Sequence, residues 1–504
     1  MISMIKKSTA AALAAMLLLL SGCQATPEQG IVTSKNDGAF ETALENSGGT
    51  VSENTGIESA PAAEPVVYTD NFENTDGDVT FNLSLTEPVT TALPVLQVRP
   101  MEFAGQQVKK IAEAVFGNVP IYEYTSEMTR AEIEQAILDR RQFISDWDAM
   151  VEYYGGNEGL AQEVKADYEQ RIAELEEAYQ TASDGVEPTL CAWEFHPEDF
   201  YLPPGWLFND NGGRYLQATA AVDGIPYVLS AVNREEADYR MHNFHIYVDD
   251  RLMSNEDLLA RCGDIPDTDE LRVRVLDIVR AMDIGDWDFV SDSESSVSGF
   301  MSDGGDTATF VLARVYEGIR TTYHNGGLVK SDEYASNYYY ESLSFTFWGG
   351  ILTSIEYLGP LDVVSVVNGD VQILPFADIL DTAKNQMRMT RSENRQMLDQ
   401  MAADGVDLTE IEGSFSGSYW ADVDHVELGL TRIRIKDNAT DFYLTPTYTF
   451  YGTMTQCDEN GEPMVMQWFN SDGEIIDESP VVTVKELVCI NAVDGSVINT
   501  QLGY

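Results

Sequence analysis

Three times along this chain an apolar stripe of helical period gives way to segments in which apolar and polar side chains alternate. The first stripe, Phe103, Val108, Ile111 and Val115, stops at Gly117, a residue suited to the left-handed backbone of a helix C-cap, and strand-like segments run from Ala192 to Asp249. Asp267 and Glu270 cap the second, which carries Leu271, Val275, Ile278, Val279 and Met282 and closes at Gly285. Alternating segments follow at Ala308–Leu312 and Ser342–Phe347. Pro375 opens the third stripe, Phe376, Ile379, Leu380, Ala383 and Met387, ahead of strands at Val426–Ile435, Phe442–Met454, Met464–Phe469 and Val482–Ile498. A helix with one apolar side and a strand with one apolar face must cover each other. The expected fold class is therefore α+β, with tandem helix-on-antiparallel-sheet units.

The expected units span 66–255, 256–360 and 361–504. The first also holds the alternating stretches Val79–Leu85 and Leu93–Val98, and an inserted αα-hairpin at about 126–182. Thr129 and Glu132 form a capping box ahead of Ile133, Ile137, Ile144, Trp147, Val151 and Tyr154; Gly155 and Gly156 break the run, and Leu160, Val164, Tyr168, Ile172, Leu175 and Tyr179 resume it. Such stripes are expected to pack on the domain that carries them, the alternative being a partner-binding projection.

At the start, Lys6 and Lys7 precede an apolar run from Ala10 to Leu20, far short of the roughly 20 residues that span a bilayer. Residues 1–22 read as a signal peptide. Its end, Leu20-Ser21-Gly22-Cys23, resembles the lipobox of bacterial lipoproteins, which implies cleavage before Cys23 and diacylation of its sulfur. Two or three acyl chains hold a protein stably, each buried methylene contributing ~0.8 kcal/mol. The expected location is extracytoplasmic, with the protein anchored to the cell membrane by lipidated Cys23. Residues 23–65 are rich in Thr, Ser, Glu, Asn, Gly and Ala and read as a flexible tether, roughly 35–40 Å in mean reach.

Acidic residues number 84 against 30 basic ones; without Lys6 and Lys7 the balance is 28 to 84, a net −56. Such a charge repels nucleic acid and anionic polymers, attracts cationic peptides and divalent cations, and keeps an extracytoplasmic surface soluble. With Cys23 assigned to lipid, Cys191, Cys262, Cys457 and Cys489 remain, and no spacing selects among their three pairings or excludes a buried free thiol at Cys489.

No constellation carries a catalytic signature. His242 and His245 lie in an extended segment, Tyr239–Val248, where residues three apart face opposite ways, so they do not form a metal pair. Gly413-Ser414-Phe415-Ser416-Gly417 has Phe415 where a nucleophile elbow needs serine. Trp193, Trp206, Trp348 and Trp420 suit strand cores better than a carbohydrate groove. Asp303–Asp306, Asp458–Gly461 and Asp472–Glu474 put carboxylates on turns; none matches an EF-hand, and they allow at most loosely bound calcium.

The closing stretch Leu487–Ile498, with its Asp494-Gly495 turn, resembles the end of PepSY-type units, and similar units occur in extracytoplasmic regulators of the cell-wall histidine kinase of Firmicutes. The lipobox, the Gln24-Ala25-Thr26-Pro27-Glu28 start and the later layout resemble lipoproteins of Clostridia-like Firmicutes grouped as a family of unknown function. The resemblances imply PepSY-like units but bring no established activity. The expected function is a lipid-anchored extracytoplasmic binding or regulatory protein whose partner is an envelope protein or a cationic peptide. The alternative is a cell-envelope hydrolase acting on glycan or peptide through dispersed carboxylates. A solute-binding lipoprotein would need a βαβ alternation that this chain lacks.

Overall fold

The structure, a computed structural model, describes residues 39–45, 66–85, 92–124, 128–153, 158–185, 187–197, 213–236, 239–249, 252–253, 255–263, 266–290, 307–324, 339–403, 417–436, 438, 440–458, 460–469 and 475–500. The expected signal peptide, Cys23 and most of the expected tether lie outside them, as do Trp206, residues 413–416 and the acidic turns at 303–306 and 472–474.

Helix α1 (Ala39–Glu45) precedes strands β1 (Val66–Asn74), β2 (Gly77–Leu85) and β3 (Ala92–Pro100). Then come α2 (Gly105–Phe116), β4 (Ile121–Glu123), the helices α3 (Arg130–Ser145), α4 (Trp147–Tyr153) and α5 (Glu158–Tyr179), and β5 (His196–Pro197). Strands β6 (Arg214–Val222), β7 (Ile225–Glu236) and β8 (Tyr239–Val248) complete this part. A second run holds α6 (Asn255–Leu259), α7 (Thr268–Met282), β9 (Asp286–Phe289), β10 (Thr307–Tyr316), β11 (Ile319–Arg320), β12 (Ser342–Trp348) and β13 (Ile351–Leu358). After β14 (Leu361–Gln372), a third holds α8 (Phe376–Met389), α9 (Glu393–Ala403), β15 (Ser418–Arg434), β16 (Phe442–Cys457), β17 (Val465–Phe469), β18 (Ile475–Pro480), β19 (Val482–Asn491) and β20 (Val497–Ile498). Helices and strands are mixed, with strands the larger share.

Local chemistry places the helix ends. Thr129 accepts from the Glu132 amide while the Glu132 carboxylate accepts from the Thr129 amide at 2.7 Å, starting α3. Asp267 caps α7 through the Asp269 amide at 2.8 Å. Gly117, with φ at 69°, ends α2 and donates to Glu113 O.

Strand pairing divides the chain otherwise than into consecutive units at 66–255, 256–360 and 361–504. One ten-stranded sheet runs outward from the antiparallel β8·β13 pair in matching order, through β7, β6 and β4 on one side and β12, β10 and β9 on the other. Each half begins with a helix, α2 or α7, whose buried residues Val108, Ile111 and Phe116, or Leu271, Val275 and Val279, enter one shared core with Phe244, Ile246, Phe345 and Ile355. The first two helix-and-meander runs therefore form one layer pair about a local two-fold. In the third, β15, β16 and β19 make the meander under α8, where Phe376, Ile379, Leu380, Ala383 and Met387 cover Phe81, Tyr448, Phe450 and Ile490. This eight-stranded sheet also takes β1 and β2, by the parallel β2·β15 pairing, and β3 with β14. Residues 66–100 thus belong with the last unit's sheet. Which strand edge a segment joins depends on partners hundreds of residues away, and alternation alone does not encode it.

Along β16 the neighbour changes from β3, opposite Phe442–Leu444, to β19, opposite Thr447 onward. Pro446, which has no amide hydrogen for a ladder, falls at the changeover. The expected tether is interrupted by α1. Phe40, Ala43 and Leu44 pack on Val95, Val371 and Val493, and the Asn368 side chain donates to Ala43 O and Leu44 O at 3.4 and 3.2 Å.

The two large sheets meet where residues 319–324 lie on β15. Thr321 bridges Leu430, the Thr322 amide donates to Leu430 O at 2.9 Å, and Tyr316 and Ile319 pack with Leu430, Phe442 and Leu444. Gly429 makes this approach possible, since a Cβ there would lie 2.7 Å from Thr322 Oγ1 and 2.9 Å from Arg320 O. Gly429→Ala is expected to lower the urea midpoint, costing about 1–3 kcal/mol as an overpacking change. A midpoint unchanged within error would show that the sheets are not seated this closely.

Candidate functional site at the junction of the sheets

The middle of β16 reads Thr-Pro-Thr-Tyr-Thr-Phe, so Thr445, Thr447 and Thr449 share one face and Tyr448 and Phe450 the other. The second face meets α8. The threonine face, fully buried, looks toward the other sheet and gathers Thr431 from β15 and Cys489 from β19. Residues 319–324 and 339–341 are the nearest elements of the other sheet's run.

His324 enters this face with a side chain only 2% exposed. Its Nδ1 lies 2.5 Å from Glu486 Oε2 and its Nε2 lies 3.1 Å from Thr431 Oγ1. The carboxylate fixes the proton on Nδ1, leaving Nε2 to accept from the Thr431 hydroxyl when the ring is neutral. Thr431 Oγ1 is also 2.6 Å from Thr447 Oγ1, Thr449 donates to Cys489 Sγ at 3.3 Å, and Thr500 donates to the other oxygen of Glu486 at 2.8 Å. Tyr340, whose ring is 4.4 Å from that of His324, donates to Thr500 O at 2.7 Å. The Arg432 guanidinium lies between the rings of Tyr340 and Phe442, 4.7 and 4.8 Å from their centres, and donates to Tyr339 O.

Carboxylate, imidazole and hydroxyl in this order are the parts of a nucleophilic relay. In this geometry they do not act as one toward solvent. The terminal hydroxyl is engaged by Thr447 and buried, and burial pushes the Cys489 thiol up to about 12, so it stays protonated. What the network does is bind β15, β16 and β19 to the other sheet's loop. A second buried carboxylate reinforces the junction: Glu341 accepts from Tyr316 at 2.5 Å, Tyr357 at 2.9 Å and the Leu361 amide at 3.2 Å. Burial raises its pKa, opposed by Arg314 and these donors. Across the same junction, Arg320 pairs with Glu427 of β15 at 2.7 Å.

The other expected residues stand apart. His242 and His245 lie on opposite faces of β8, the first beside Asn233 and the second 2.9 Å from Ser354, its pKa lowered by burial. His196 meets Glu123, and His425 lies against Tyr451. Cys191, Cys262, Cys457 and Cys489 are free thiols. Trp193 lies outside the helices and strands, Trp348 ends β12, and Trp420 on β15 is 40% exposed, contrary to the expected strand-core role; Asp458 serves as a turn cap for the Asn460 and Glu462 amides. Of the junction residues, none was singled out by sequence reasoning except Cys489 as a buried thiol. The available signal was Thr445, Thr447 and Thr449 alternating with large apolar groups, which marks a strand buried on both faces.

No protein-family model and no curated protein matches the chain. Among solved structures, an uncharacterized protein from Eubacterium rectale ATCC 33656 is similar over 91% of this chain and 98% of its own, with 9% identity and a TM-score of 0.39. A likeness at that level carries no argument about this protein.

Thr431→Val removes the hydroxyl that His324 and Thr447 share and is expected to cost about 1–3 kcal/mol in urea unfolding. Cys489 should resist iodoacetamide at pH 8 in the native protein and react once urea is added. Rapid native labelling of Cys489 would mean that the junction opens.

Proposed function

We propose that this is a lipid-anchored extracytoplasmic binding or regulatory protein made of PepSY-like helix-on-sheet units, with acylated Cys23 as its membrane attachment. The observation that carries the reading is the threefold use of one plan, a helix followed by an antiparallel meander, with α2, α7 and α8 as the helices. Repetition of a layer pair multiplies surface and edges for contact. Among the described residues, the carboxylate–imidazole–hydroxyl alignment of Glu486, His324 and Thr431 is spent on joining the sheets.

The anchor and the fold fit together physically. Fifteen residues, 24–38, separate Cys23 from the docked α1. Read as a flexible tether, a segment of that length reaches roughly 19–23 Å on average, so in this reading the body stays close to the membrane and works on envelope partners within that range. The net −56 charge of the mature chain favours cationic partner surfaces and disfavours nucleic acid.

In-cell crosslinking of the lipidated protein, followed by mass spectrometry, should recover the same envelope partner reproducibly, and less of it from a Cys23→Ala chain. Robust turnover of wall glycans or peptides by the purified body would overturn this reading in favour of the hydrolase alternative.

A further inference from the structure

The helices α3 and α5 run antiparallel: Tyr179 donates to Glu134 at 2.5 Å near one end, and Phe143 stacks on Tyr168 at 5.1 Å farther along. Their core consists of Ile133, Ile137, Ile172 and Leu175, and every described residue packed on it lies between 128 and 182. Among the described residues this helical pair packs its stripe on itself and not on the sheet, unlike the expected packing on its own domain. It rises from a stem in which the Glu123 amide donates to Thr189 O and the Cys191 amide to Ile121 O. The helices α3, α4 and α5 thus lie between β4 and β6 in the chain, and α3 and α5 share a core of their own among the described residues. The equivalent step in the second unit, from β9 to β10, has no described helix.

Two helices leave a groove that a third can fill. On one face Ile137 forms the floor, Leu138 is 57% exposed, and Glu134, Glu176 and Tyr179 line a concavity of about 450 Å³. Arg141 also lines it and pairs with Glu176. Between residues 128 and 182 there are thirteen acidic residues against five basic ones. An apolar strip with carboxylate walls complements one kind of segment: an amphipathic helix with an apolar stripe flanked by lysine or arginine. We propose that this groove docks a cationic amphipathic helix of a partner protein, making a three-helix bundle with α3 and α5. The proposal rests on the binding-protein reading and names its partner class.

The probe is a fluorescent 18-residue Leu/Lys amphipathic peptide, titrated by anisotropy into the mature full-length chain. A scrambled peptide of the same composition and a Leu/Glu peptide with the same apolar stripe serve as comparisons. Expected results are saturable binding of the first peptide, at least tenfold weaker binding of the other two, a tenfold loss in Leu138→Ser and about threefold in Glu134→Gln. Leu138 is exposed enough that the serine variant keeps its fold, which circular dichroism checks. Equal binding of the scrambled peptide would reduce the effect to bulk charge, and an unchanged affinity in Leu138→Ser would remove the groove; either overturns the proposal. If cellular crosslinking still captures an envelope partner after such a result, the binding reading stands and only the groove falls.

Discussion

The architecture depends on a polar face placed where an apolar one is the easier choice. Thr445, Thr447 and Thr449 are fully buried between the two large sheets. A buried hydroxyl without a partner costs about 1–3 kcal/mol, whereas apolar surfaces tolerate sliding. The face is thus satisfied in few arrangements, and those require Thr431, His324, Glu486 and Cys489 at particular positions. Hydrogen bonds of this kind specify one docking geometry rather than supply most of the stability, which comes from the apolar cores under α2, α7 and α8. Thr445 Oγ1 has no partner among the described residues. It marks where the lock is least complete.

Around that lock the three helix-and-meander runs play different parts. Two complete each other, edge to edge through β8 and β13 and helix beside helix through Lys110 and Asp283. The third completes its sheet with strands from the chain's beginning, and α1 adds a further clasp on the β3·β14 side. The cores are closed by these exchanges. Among the described residues the core of α3 and α5 is confined to 128–182, and the proposed recognition groove lies on it.

Much of the local structure was legible in the sequence, because it is decided by neighbours. Thr129 with Glu132, Asp267, Gly117 and the Phe376–Met387 stripe set helix ends and faces within a few residues, and Tyr239–Val248 is the strand its alternation suggested. The assembly was not legible. Nothing near Gly77 announces that it lies against Tyr419, although a Cβ there would sit 1.7 Å from Tyr419 O. Helix α1 offers only Phe40, Ala43 and Leu44 to its groove, too short a stripe to stand out from a polar segment. His324 has no motif around it, since Glu486 and Thr431 reach it only through the sheet junction.

If that junction is the organising contact, the two sheets form one cooperative body. Hydrogen exchange followed by mass spectrometry in rising urea tests this directly. Peptides covering 214–248, 342–358 and 418–457 should lose protection over a single urea range, with residues 319–324 protected until then. Loss of protection in 214–358 at distinctly lower urea, with 418–491 still protected, would contradict the account and make the sheets independent domains.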